Sequence, residues 1–184
     1  MVRVIGITGH SGAGKEFVKT LLGDLTGFPV FSISDVLRED IRKSGVEPTR
    51  DELIKLGNEL RLKYGGNILA KRVIELIGKN AVVDSFKNPF EVEEFRKIFG
   101  KDFILLSVKA SLEKQFERVK SRGRENDPRT WSEFLEMVEK HSGKAGVHTQ
   151  LVDECDNIAD YFIINNDDLK SLSLKVKALV EFLA

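Results

Sequence analysis

The sequence is short of cysteine, of net charge and of long apolar runs, and each shortage closes a class of function. Its 184 residues include one cysteine, Cys155. That residue has no partner for an internal disulfide and cannot build a cysteine-based zinc site, so it reads as a small buried hydrophobe. Twenty-nine Lys and Arg balance twenty-nine Asp and Glu. A zero balance excludes the basic footprint of bulk nucleic-acid or membrane-surface binding. No apolar run approaches a membrane span, and residues 1–9 lack the layout of a signal peptide. The expectation is a reduced, cytoplasmic setting, with neither nucleic acid in bulk nor membrane as a partner.

What is present is alternation. Hydrophobic residues make up 41% and charged residues 32%, the balance of a globular domain. Short apolar stretches at 3–8, 28–33, 81–86, 103–108 and 161–165 read as strands. Helical spacing recurs at 15–25, 35–44, 49–63, 67–77, 89–99, 111–121, 130–139, 149–155 and 167–183. Strands alternating with helices imply a three-layer α/β/α fold around a five-stranded parallel sheet. Residues 34–78 show no strand pattern, a helical insertion longer than a crossover needs. The expected division is a core of 1–33 and 79–184, a helical lobe at 34–78 and a short lid at 121–132.

The first strand runs into Gly9-His10-Ser11-Gly12-Ala13-Gly14-Lys15-Glu16. This is a phosphate-binding loop, G-x-x-x-x-G-K, in its proper context of strand, loop, helix. Its glycines let backbone N–H groups curl around an anion, the helix adds its dipole, and Lys15 adds a point charge. Gly9, Ser11, Gly12, Ala13, Gly14, Lys15 and Glu16 are therefore the expected ATP-binding residues. His10 reads as an exposed loop position. The serine or threonine that normally reaches magnesium is replaced by Glu16. Two readings stand: Glu16 disables metal binding, or Mg2+ is held by water and nucleotide oxygens, with Glu16 itself a candidate ligand.

Ser34-Asp35-Val36-Leu37-Arg38 follows the second strand. Ser34 or Asp35 can cap a helix, and Arg38 supplies a fork for a second phosphate. Asp84 ends the third strand. Lys114, Arg118 and Arg122 share one helix face, with Arg124 beyond Gly123. Such arginines close over a transferring phosphoryl group and neutralise its charge. The bland reading of that face is a solvated surface paired with Glu113 and Glu117, and the same reading fits Glu125 and Asp127.

In their order, these motifs resemble the P-loop nucleoside monophosphate kinases, adenylate kinase among them. The likeness is closest to archaeal adenylate-kinase-related proteins and phage-type deoxynucleoside monophosphate kinases, and it spans most of the chain. Residues 34–39, 59–65 (ELRLKYG), 70–72 and 122–128 carry it, together with Val83-Asp84-Ser85-Phe86-Lys87-Asn88-Pro89. The resemblance implies strand order 2-3-1-4-5 and transfer from Mg-ATP to a nucleoside or deoxynucleoside monophosphate. It implies Asp84 on the magnesium waters, and Asp35, Arg38, Arg61 and Lys87 on the acceptor, with Arg72 adding to a cationic wall. It implies Lys15, Arg118 and Arg122 in catalysis, and Mg2+ and ATP as cofactors. Adenylate kinases have glycine after the loop lysine, which makes Glu16 less anomalous, whereas Phe17 departs from their threonine. Small nucleotides are the expected partners, in a monomer or homodimer. Two alternatives remain open: a kinase of another small metabolite such as dephospho-coenzyme A, and an ATP-binding switch or assembly factor.

Overall fold

The computed structural model describes residues 2–124, 127–141 and 150–183. Five strands, β1 (Val4–Thr8), β2 (Val30–Ser32), β3 (Ala81–Asp84), β4 (Phe103–Lys109) and β5 (Tyr161–Ile164), form one sheet in the order β2-β3-β1-β4-β5. Every pairing is parallel. The expected class and order are both found. The chain builds β2 and β3 on one side of β1 and then crosses to β4 and β5. That reversal opens a crevice at the carboxyl ends of the strands, where ligands of open α/β sheets bind.

Nine helices flank the sheet among the described residues: α1 (Lys15–Thr26), α2 (Ile33–Lys43), α3 (Arg50–Tyr64), α4 (Ile68–Ile74), α5 (Pro89–Phe99), α6 (Leu112–Arg122), α7 (Trp131–His141), α8 (Val152–Asn157) and α9 (Leu169–Leu183). Two apolar clusters fill the layers. One holds Phe86, Phe95 and Phe103 with residues of α2, α4 and α5; the other joins Val18 and Leu22 of α1 to Leu172 and Val176 of α9. β1, β3 and β4 are buried on both faces, which is why they read as continuous apolar runs rather than alternating ones.

Several boundaries differ from expectation. β2 is three residues long, because Pro29 has no N–H to add to the ladder. α2 begins at Ile33, with Ser32 at the N-cap position and Ser34 and Asp35 in its first turn, so neither of these is the cap. The Ser32 hydroxyl instead bonds Ser34 and Ser85 at 2.8 and 3.1 Å. α8 runs Val152–Asn157 rather than 149–155. Position 149 lies outside the described residues, as do Glu125 and residue 126 of the expected lid.

Within this core the Phe86 and Phe95 rings meet edge-on at 4.9 Å. Phe95→Ala is expected to lower unfolding stability in urea by about 3–5 kcal/mol. Leu62→Ala, at a position 70% exposed, should stay within about 0.5 kcal/mol of the parent.

Candidate functional site

The loop after β1 wraps the start of α1. Gly12 has φ 83° and Gly14 φ 102°, both in the left-handed region. A Cβ on Gly12 would stand 2.4 Å from the Gln115 carbonyl oxygen, and one on Gly14 2.3 Å from Asn165 Nδ2. Glycine is therefore required twice over, by torsion and by space. No side chain caps α1, and the first helical bond is Val18 N–H to the Gly14 carbonyl at 3.3 Å. The preceding N–H groups of the helix have no intrahelical partner and open towards the crevice, a ready anion cradle.

Lys15 folds back over this cradle, donating to the carbonyls of Gly9 and His10 at 2.6 and 2.8 Å. Burial strips water from its ammonium and lowers its pKa to about 8, against the pull of the Asp84 carboxylate. Asp84 is buried at the end of β3, paired with Ser32 in the strand register, and meets Lys19 at 3.4 Å. Glu16 also turns to Lys19, at 2.8 Å. Lys19, absent from the expected set, thus holds both candidate magnesium carboxylates at the loop's edge. The cradle fits a nucleotide's phosphates, and the carboxylates of Asp84 and Glu16 fit a hard cation held through water.

The loop faces a cavity of about 810 Å³ lined by α2, α3, the β3–α5 turn and α6. Its described lining has nine Lys and Arg against five Asp and Glu, in a chain whose net charge is zero. The cations have been gathered into one place. Arg38 lines the cavity from α2, bonded to Asp35 Oδ1 at 2.6 Å and to Ser34 Oγ at 3.0 Å. Arg50, at the first turn of α3, joins them. Sequence reading missed it, since a charged residue just after the Thr49 cap looks like surface.

Lys87 is the most constrained of these. Its N–H donates to Glu91 Oε2 at 2.9 Å, and its carbonyl accepts from Leu151 N–H at 2.6 Å. The backbone is pinned on both sides. Its ammonium has no hydrogen-bond partner among the described residues, and burial, reinforced by Arg50 and Arg61, lowers its pKa to about 7.

Arg61 occupies a different role from the one expected of a mobile ligand. It is 3% exposed, and its Nη2 and Nε donate to Glu91 Oε1 at 2.7 and 3.2 Å. It touches the cavity wall, yet its fork is committed. Arg72 is not among the described lining residues; it clamps Asp40 with two bonds, at 2.6 and 2.8 Å, tying α4 to α2.

α6 supplies the remaining arginines. Arg118 donates to the Gly12 carbonyl at 3.3 Å and to the Asn165 carbonyl at 3.0 Å, bracing the loop against the end of β5. Asn165, also missed, is buried and holds the Ala13 carbonyl through Nδ2 at 2.8 Å. Arg122 lies over the loop, its Nη2 3.0 Å from Ser11 Oγ, and is gripped by Asp127 through two 2.7 Å bonds. Asp127 is therefore no idle surface charge; it aims Arg122. Lys114 pairs with Glu117 at the surface, as the bland reading had it. Trp131, at the start of α7, is 39% exposed but packs against Phe116 and Phe134. His10 is the other surprise: its side chain is 13% exposed and bonded to Asp153 of α8 at 2.6 Å.

The Arg61–Glu91 pair gives a direct test of architecture. Glu91→Ala leaves a buried guanidinium and two N–H groups without their acceptor, and should cost about 3–5 kcal/mol in chemical unfolding. Arg38→Ala, at the solvent-facing side of the cavity, should cost under about 1 kcal/mol.

Comparison with known proteins agrees with this geometry. The profile of a family described as an AAA domain matches residues 8–134. A UPF0200 protein of Thermococcus onnurineus is 36% identical over 186 residues, covering 97% of this chain and 96% of its own. One from Hyperthermus butylicus is 31% identical, covering 96% and 92%. Among solved structures, a gluconokinase from Sinorhizobium meliloti superposes with TM-score 0.61 at 18% identity, covering 99% of this chain and 93% of its own. Shikimate kinase from Acinetobacter baumannii, in complex with shikimate, gives 0.60 at 14%, covering 98% and 93%. These structures share the fold. No helix among the described residues is long and apolar enough to cross a membrane. With its loop, strand order and relatives in agreement, the chain belongs to the AAA-domain family that its profile match defines, alongside the archaeal UPF0200 proteins, and is built on the P-loop kinase fold.

Proposed function

We propose that the protein is a phosphotransferase that moves a phosphoryl group from ATP to an acceptor that is itself a phosphate, a nucleoside or deoxynucleoside monophosphate. The observation that carries this reading is Lys87: a backbone-pinned ammonium, unpartnered among the described residues, facing Lys15 and Arg50 across one cavity. The described lining of that cavity carries more Lys and Arg than Asp and Glu, and a bound anion offsets the excess. A hydroxyl acceptor would leave that charge uncompensated; a phosphate dianion answers it.

In this reading the loop N–H groups and Lys15 hold the phosphates of ATP. Arg38, Arg50 and Lys87 hold the acceptor phosphate, while Arg61 acts through Glu91 to fix Lys87. Mg2+, when bound with the nucleotide, offsets charge on the transferring oxygens. Asp84, with Glu16 beside it, would hold it through water. Arg118 keeps the loop in shape, and Arg122 is placed to neutralise charge on the moving group. Residues 34–78 form the acceptor lobe, and the segment from Arg122 towards Trp131 closes over the site and excludes water. No general base is required, since the acceptor oxygen is already an anion and positioning does the work.

The likeness to a gluconokinase and a shikimate kinase supports a second reading, a kinase of a small hydroxyl-bearing metabolite. An acceptor screen separates the two. ADP release from Mg-ATP is expected only with nucleoside monophosphates, and to vanish in Lys15→Ala. Lys87→Met should raise the acceptor KM about 10- to 100-fold, the worth of one charged hydrogen bond, with a smaller effect on the KM for ATP. Turnover with hydroxyl metabolites alone would reject the phosphate acceptor. Turnover stimulated only by a macromolecule would favour the switch.

A pH signature follows. Lys87 and Lys15 titrate near 7 and 8, below the ordinary lysine value. An arriving anion favours their charged forms and raises both pKa values. Nucleotide binding at pH 8 is therefore accompanied by proton uptake, fading towards pH 6, where both lysines already carry their protons. Calorimetry in buffers of different ionisation enthalpy measures it. Lys87→Met should remove the acceptor's share.

A further inference from the structure

A second cavity, about 260 Å³, lies beside the phosphate loop and plays no part in the reading above. His10, Lys109, Gln115, Asp153 and Asp156 line it, and among the described residues His10 alone is shared with the large cavity. Its walls present acceptors. The Asp153 carboxylate accepts at 2.6 Å from His10 Nε2, which must then carry the ring hydrogen. In the neutral ring that leaves Nδ1 a bare lone pair, and Nδ1 is buried with no partner. Gln115 is 5% exposed; its Nε2 donates to the Ala110 carbonyl, and its Oε1 is buried without a donor. Asp156 accepts from the Ser107 hydroxyl through Oδ1. The one ammonium of the described lining, Lys109, stands over the Phe162 ring at 5.5 Å. Two orphaned acceptors and two carboxylates around one space call for a cation.

The donor set says which kind. One His10 ring nitrogen and one oxygen each from Asp153 and Asp156 all lie within 4.8 Å of one another. An imidazole with two carboxylates suits zinc, cobalt or manganese, whereas Mg2+ prefers oxygen alone. At ligand distances of about 2.1 Å, donors sit no more than about 4.3 Å apart. The cluster must therefore draw in by a few tenths of an ångström. Asp153, its side chain 51% exposed, is free to do so.

We propose that His10, Asp153 and Asp156 form a divalent transition-metal site, with Gln115 Oε1 within the same cavity as a further donor, distinct from the metal that accompanies ATP. Because His10 belongs to the phosphate loop and Asp153 to α8, such an ion ties the loop to the helix whose preceding residue, Leu151, holds the Lys87 carbonyl. The loop and the acceptor side of the cleft then share one tether.

The test uses the full-length protein stripped with chelator, without nucleotide. Zn2+ is titrated by calorimetry, and Co2+ by its visible absorption. One ion per chain is expected, with Co2+ giving ligand-field bands, and millimolar Mg2+ should not displace it. Asp153→Asn and Asp156→Asn should each weaken binding at least about 10-fold, while Lys114→Ala, at the surface of α6, binds as the parent does. Far-UV circular dichroism checks folding. If Asp156→Asn unfolds, the exposed Asp153→Asn decides alone. Absence of stoichiometric binding, or unchanged affinity in a folded Asp153→Asn, overturns the site and leaves a surface ion pair.

Discussion

Glu91 holds the Lys87 side of the cleft together. It is wholly buried, and both of its oxygens are in use: one receives the Arg61 guanidinium, the other the N–H groups of Lys87 and Asn88. A carboxylate in such a place is tolerated only because every acceptor position is answered. In return it fixes three elements at once. α3 is tied to α5, the β3–α5 turn is set, and Lys87 is presented to the cavity on a backbone that cannot drift. On the other side of the cleft Asn165 plays a comparable part, joining the loop carbonyl of Ala13 and the Arg118 fork to the end of β5. The phosphate loop and the cationic wall are thus each anchored by one buried polar side chain, in a fold whose parallel strands bring them to the same edge.

Charge is used locally in this chain. A neutral whole conceals a cleft whose described lining has more cations than carboxylates; burial lowers the pKa values of Lys15 and Lys87, while Arg38, Arg61 and Arg122 are paired with carboxylates. The arginines divide by duty. Arg61, Arg72 and Arg118 are committed to holding structure; Arg38 is paired with the exposed Asp35, and Arg122 with Asp127, whose side chain is 5% exposed.

Much of this was legible in the sequence. The loop, the strand order by resemblance, and the placing of Arg38, Asp84 and Lys87 on one cavity follow from local patterns whose physics is local: glycine torsions, a strand end, a helix turn. What sequence could not reach depends on distant pairing. The resemblance puts Arg61 on the acceptor, and nothing in the sequence shows its commitment to Glu91, thirty positions away. Asn165 is 152 positions from the carbonyl it holds, and Asp127 looks like one more charge in a polar stretch until Arg122 bends back to it. His10 seemed an exposed loop position because its partner, Asp153, lies 143 residues on. The Ser34 and Asp35 caps failed for a nearer reason: β2 ends at Ser32, so both residues fall inside the first turn of α2.

The central claim is that the acceptor is a phosphate. The most direct measurement is the bond that forms. Phosphorus NMR of the product made from Mg-ATP and a nucleoside monophosphate distinguishes a phosphoanhydride from a phosphate ester. The account predicts a new phosphoanhydride, with coupled phosphorus resonances from a nucleoside diphosphate beyond the ADP derived from ATP. A phosphate ester on a hydroxyl, or ADP and inorganic phosphate alone, would contradict it.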